Sequence, residues 1–311
     1  MPRTRAQRIL MALDGSERSL ETVRYIARFK PFQKMDIVLL HVLNSVPECY
    51  YDLEKVHKAV KVATPMRAWE AEQKKMIQAY MQRAKEILHH HGFEADRIEI
   101  MIRKRKQGIA RDIIREAGNG YDAVIIRRRG LGAMRPVVVG SVAAKLIEKL
   151  TFVPVLIAGR RAPNDRVLVG LDGSACALRA LDFVAQRLGG RDYHVHLLNV
   201  IRGRGTADLT SRRFASTAEC VAATEAEIDK VLAGARRRLE AEGFAPEQIT
   251  TQIIKGVVSR AAAIAEEAKR GNYGTIVLGR RGQSSVKDFF IGRVTNKVIV
   301  AARQHSVWVV T

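Results

Sequence analysis

The two halves of the chain repeat one pattern of apolar and polar positions. Residues 8–13 (RILMAL) form a short aliphatic run that ends in Asp14-Gly15-Ser16, and residues 166–171 (RVLVGL) end in Asp172-Gly173-Ser174. Runs of this length, bounded by turn residues, predict buried strands. Behind each, a Ser in N-cap position precedes apolar residues at i, i+3 and i+6: Leu20, Val23 and Ile26, or Leu178, Leu181 and Val184. That spacing predicts a helix with one buried face. Four more aliphatic runs follow in each half, at 37–43 and 194–201, 98–102 and 249–254, 123–126 and 275–278, and 153–158 and 306–310.

A long amphipathic segment lies between the second and third runs of each half. It carries Trp69, Met76, Ile77, Tyr80, Ala84, Ile87 and Leu88 in the first copy, and Val221, Ile228, Val231, Leu232, Ala235 and Leu239 in the second. Each reads as a helix that stops near a glycine, Gly92 or Gly243. Shorter helices are predicted over Ile109, Ile113 and Ile114, and over Ala261, Ile264 and Ala265. The loops at roughly 44–64 and 202–217 have no readable period, although Pro47, Tyr50 and Tyr51 suggest an ordered excursion in the first. Strands that alternate with helices call for parallel sheets built from right-handed βαβ units and covered by helices on both faces. The expectation is two α/β domains in tandem, 1–160 and 161–311, joined at the Gly-, Pro- and Asn-bearing residues 159–165.

Composition is consistent with this plan. At 311 residues and 47% hydrophobic, the chain can build two packed cores. No run of about eighteen apolar residues is present, and the chain opens with MPRTRAQ rather than a basic segment followed by an apolar one, so a soluble, cytoplasmic protein is expected. Cys49, Cys176 and Cys220 are odd in number and widely spaced, which argues against a disulfide framework or a structural zinc site. The formal charge of +21 is the unusual bulk property, and both halves share it: residues 1–160 hold 30 basic and 17 acidic side chains. Such a balance suits an anionic partner, nucleic acid or an acidic protein, or else only solvated basic faces.

The fourth run of the second half ends in Gly279, followed by Gly282 and, after nine intervening residues, Gly292 at the head of a predicted helix. Strand, glycine loop and helix start make a phosphate cradle, because glycines let backbone N–H groups approach an anion and the helix N-terminus supplies unpaired donors. With the Asp-Gly-Ser turns and the second-strand endings Leu40-His41-Val42 and Leu198-Asn199-Val200, the repeat resembles the universal stress protein family over nearly the whole chain. The resemblance implies, in each domain, a five-stranded parallel sheet of order 3-2-1-4-5 with helices on both faces, and domains that pair through their last strands. It also implies ATP or a related adenine nucleotide, with Mg2+ allowed beside it, held at the carboxyl ends of the strands. A stress-related or regulatory role and a homodimer belong to the same expectation. The alternative is a basic scaffold protein that binds no nucleotide.

Carried over by position, the resemblance assigns Asp172 and Gly173 to the nucleoside side, Val200 to the base, and Gly279, Gly282 and Gly292 to the phosphates. Arg293 stands where the family has Ser or Thr. In the first half Asp14, Val42, Gly130, Gly140 and Ser141 match, but Arg127 replaces the first loop glycine, so the second half is the expected site. Arg127-Arg128-Arg129 reads as a solvated edge or a phosphate-facing cluster, and His89-His90-His91 as a solvated helix end rather than a metal tract. No Ser/His/Asp set or carboxylate pair can be given catalytic roles, leaving slow ATP hydrolysis as the most an enzyme reading allows.

Overall fold

The computed structural model describes residues 7–43, 60–128, 140–161, 163–203, 217–283 and 291–311. The first half runs β1 (Arg8–Ala12), α1 (Glu17–Ala27), β2 (Asp36–Leu43), α2 (Val60–His90), β3 (Ile98–Lys104), α3 (Ile109–Ala117), β4 (Ala123–Arg127), α4 (Ser141–Lys149) and β5 (Val155–Ala158). The second repeats the order with β6 (Arg166–Gly170), α5 (Ala175–Leu188), β7 (His194–Arg202), α6 (Thr217–Ala241), β8 (Ile249–Val257), α7 (Arg260–Arg270), β9 (Thr275–Gly279), α8 (Arg293–Ala301) and β10 (Ser306–Val310). Each aliphatic run read from the sequence is a strand.

The chain forms two compact units, the first ending at Val153 and the second beginning at Pro154. Within the first, the strands lie in the order β3-β2-β1-β4 and all pair parallel, with Ile9 opposite Ile37 and Ala123. Within the second, β8-β7-β6-β9-β10 is the parallel 3-2-1-4-5 order, and β5 adds to its edge antiparallel, Leu156 facing Trp308. The last strands of the two sequence halves thus pair with each other. The inner strands β1, β4, β9 and β10, covered on both faces, are almost wholly buried and read as continuous apolar runs. The edge strands β3 and β8 are partly exposed and carry polar residues among the apolar ones. Ile9, Leu10 and Met11 of β1, and Val307, Trp308 and Val309 of β10, are wholly inaccessible to solvent. Phe183 of α5 meets the Trp308 ring edge-on at 5.9 Å, a favoured aromatic geometry.

Gly92 and Gly243 follow α2 and α6 with φ of +91 in both cases, the left-handed conformation that ends helices. Helix α2 departs from its expected face. Met76 is 51% exposed, whereas Met81, outside the predicted stripe, is buried with Tyr80, Ala84 and Leu88. The helix packs against α1, β2 and β3, and the face it buries there runs through Tyr80, Met81, Ala84 and Leu88. Among the described residues no helix is long and apolar enough to cross a membrane.

Candidate functional site

Both units build the same junction where their first strand leaves the sheet. After β6, Asp172 Oδ1 accepts the Ser174 amide at 3.0 Å, and Ser174 Oγ accepts the Ala177 amide at 3.2 Å, capping α5. After β1, the Ser16 amide and hydroxyl donate to Asp14 Oδ1 at 3.0 and 2.6 Å, and Ser16 Oγ caps α1 through Ser19. Gly173 and Gly15 take φ of +77 and +80, which a side chain would strain. The next strand is fastened alongside. The Leu171 amide donates to Leu198 O at 2.8 Å and Asn199 Nδ2 to Leu171 O at 2.6 Å. In the first unit the Leu13 amide donates to Leu40 O, and His41 Nδ1 lies 2.9 Å from Leu13 O. A carbonyl only accepts, so that nitrogen carries the proton of the neutral ring.

In the second unit these ends open onto a cavity of about 670 Å3, within the range of small-molecule sites. Asp172, Gly173, Val200, Gly279, Gly282, Gly292 and Arg293 all line it. The glycines have different reasons to be there. A Cβ on Gly279 would sit 2.6 Å from the Ala177 nitrogen, so the first turn of α5 packs directly on the end of β9. A Cβ on Gly282 would collide with Asp172 Oδ2, the oxygen that accepts the Gln283 amide at 3.1 Å. The loop is thereby folded down onto Asp172, and Gln283 Nε2 donates to Asp172 O as well. Gly292 is the N-cap of α8 with φ of −62, its amide donating to Arg280 O at 2.8 Å. The first turn of α8 holds no acidic residue and its N-cap offers no side chain, so the helix start faces the cavity without an anion of its own. Thr295 Oγ1 donates to Gly279 O at 2.8 Å and ties α8 to the end of β9.

The first unit departs from this arrangement. Asp14 and Val42 stand at the ends of the adjacent strands β1 and β2, Gly140 is the N-cap of α4, and Ser141 is its exposed first residue. Gly130 lies outside the described residues. Arg127 ends β4 where Gly279 ends β9, and neither it nor Arg128 is a solvated edge residue: Arg128 is 7% exposed and Arg127 half-buried. That corrects the solvated-edge reading of the run, of which Arg129 lies outside the described residues. Burial opposes the charge on Asp14, but the Ser16 hydroxyl and amide, Ser19 and the positive charge of Arg127 outweigh it and hold the carboxyl below its ordinary range. His41 is pushed down by burial, against the Leu13 carbonyl and Asp14, which favour the charged ring.

Tyr80 was legible only as a core residue, yet it decides this crevice. A Cβ on Gly15 would meet Ile77, and one on Gly173 would meet Val231, so Ile77 and Val231 are equivalent. Three residues further along, Tyr80 is therefore the counterpart of Gly234. The Tyr80 hydroxyl is hydrogen-bonded to Ser19 Oγ, whose own counterpart is Ala177, and burial pushes its pKa up to about 12. A buried ring and hydroxyl occupy in the first unit a place that is left to glycine and alanine in the second. Arg260 was also missed: it lines the cavity and donates Nε to Val200 O at 3.0 Å, across from β7. Only the fold brings it there. The three histidines at the end of α2 are exposed, each with Nδ1 near a backbone carbonyl, and no group of three or more metal-ligating side chains stands together among the described residues.

Open parallel sheets with a glycine-lined crevice at the carboxyl ends of the strands define a tandem, doubly wound α/β protein. The pattern of one such family, the universal stress protein family, matches residues 5–159 and again 163–311. The chain belongs to the universal stress protein family. A universal stress protein of Mycolicibacterium smegmatis is 24% identical over 298 residues, covering 94% of each chain. The crystal structure of a universal stress protein from Archaeoglobus fulgidus superimposes with a TM-score of 0.64 at 21% identity, covering 99% of both chains.

Proposed function

We propose that this protein binds ATP or a related adenine nucleotide in the crevice of the second unit, and serves a stress-related or regulatory role through the bound state. The observation that carries the reading is the start of α8. It is an uncapped helix N-terminus, free of acidic residues in its first turn, bordering a cavity of suitable size beside Gly279, Gly282 and Gly292. Phosphates belong against such a helix start, which offers backbone N–H donors and the positive end of the helix dipole. Val200 and Asp172, at the ends of neighbouring strands, stand where the base and the ribose would follow.

Isothermal titration of the full chain with ATP tests this against Gly282→Asp. The substitution sets a carboxylate against Asp172 and lifts the loop from its anchor. Heat from the wild type that disappears in the variant is expected; heat from neither protein defeats the reading.

A further inference from the structure

The oxygens around the phosphate cradle already have partners. Asp172 accepts the Ser174 amide on one carboxylate oxygen and the Gln283 amide on the other. The Ser174 hydroxyl accepts from Ala177 and donates to Arg281 O at 3.3 Å. The Thr295 hydroxyl donates to Gly279 O in a buried position. Glu227, the second carboxylate of the lining, pairs with Lys230 at 2.8 Å. After Gly292, where the family motif has a hydroxyl, the chain has Arg293. Mg2+ demands a near-octahedral set of oxygens and in nucleotide sites takes one or two carboxylates or hydroxyls beside the phosphates. Among the described residues these oxygens hold the loop, α5 and α8 in place, so a metal ion would have to share each of them with a bond the fold already uses.

The crevice offers cations instead. Arg260, Arg281 and Arg293 line the same cavity, and a guanidinium supplies permanent charge and several donors suited to phosphate. We propose that the second unit takes its nucleotide as the metal-free polyanion, with Arg281 and Arg293 in the place of a divalent cation. This rests on the nucleotide reading above. Free ATP carries more negative charge than its magnesium complex, so a crevice with three arginines gains more from the free form. A metal ion bridging the phosphates would lie against like charge.

The test is titration of the full chain with ATP in EDTA and again in excess Mg2+, repeated with Arg293→Ser, which restores the hydroxyl. The wild type is expected to bind in EDTA at least as tightly as in Mg2+. Arg293→Ser is expected to lose about tenfold in EDTA, the size of one charge-assisted hydrogen bond, and to recover on adding Mg2+. An unchanged thermal midpoint shows that the variant is folded. Wild-type binding that appears only with Mg2+ overturns this inference and leaves the nucleotide reading standing. No binding in either buffer overturns both, and an Arg293→Ser affinity equal to wild type in both buffers removes Arg293 from the role.

Discussion

Arg127 and Gly279 occupy one point of the repeated unit, the last residue of the fourth strand, and with Tyr80 and Gly234 they separate the two crevices. These differences were partly legible. A missing loop glycine is visible in a sequence, whereas the pairing of Tyr80 with Ser19 depends on helix α2 crossing α1 at one register and could not be read from either segment alone. His41 shows the same limit: its place in Leu-His-Val was visible, but not its bond to Leu13 O. Because burial lowers the His41 pKa below 6.5 in the folded chain, the unfolded chain takes up the proton first. The stability tied to the neutral ring is present above that pH and is lost as pH falls through the window beneath it. The depressed carboxyl of Asp14 acts in the same direction at lower pH, below its unfolded value of 3.8. His41→Asn copies Asn199, keeps a donor for Leu13 O and removes the titration. Thermal unfolding from neutral pH to about pH 5 should show a shallower acid-side decline for the variant; parallel curves for the two proteins would deny His41 this part.

At the scale of elements, the inner strands were legible because burial on both faces leaves an uninterrupted aliphatic signature, the edge strands β3 and β8 from their shorter apolar stretches, and the helix ends because Gly92 and Gly243 take left-handed turns. The face of α2 was less so. A 31-residue helix carries apolar positions, such as Met76, that its neighbours leave exposed. In its equivalent α6, Gly234 stands three residues beyond Val231, which lines the crevice, and a Cβ there would find only an arginine side-chain atom at 4.0 Å. Grafting the first unit's plug, as Ala177→Ser with Gly234→Tyr, should therefore fill the second crevice. Glycine inside a helix costs about 1 kcal/mol relative to a good helix former, so the double variant should unfold at the same temperature as wild type or higher. Titration with ATP should give no heat from it. Retained binding with a raised midpoint would mean that Tyr80 does not occupy the nucleotide's place.

For the whole molecule, the tandem plan was plain from the internal repeat, and the inequality of its halves follows from a few side chains within one fold. The charge of +21 was equally plain, and it bears on the capture of anions more than on the fold. The account predicts one nucleotide per chain, held at Gly292 and not at the equivalent Gly140. Both glycines are N-caps with extended backbone, φ of −62 and −57, where aspartate is a favoured residue. Aspartate there stabilises a helix start by about 1 kcal/mol relative to a residue that cannot cap, while placing a carboxylate where a phosphate would bind. The most direct measurement is titration of ATP into the wild type, Gly292→Asp and Gly140→Asp, with thermal unfolding of each. The account predicts one site per chain in the wild type and in Gly140→Asp, and none in Gly292→Asp although that variant remains folded. Binding that survives Gly292→Asp, or that Gly140→Asp abolishes, would contradict it.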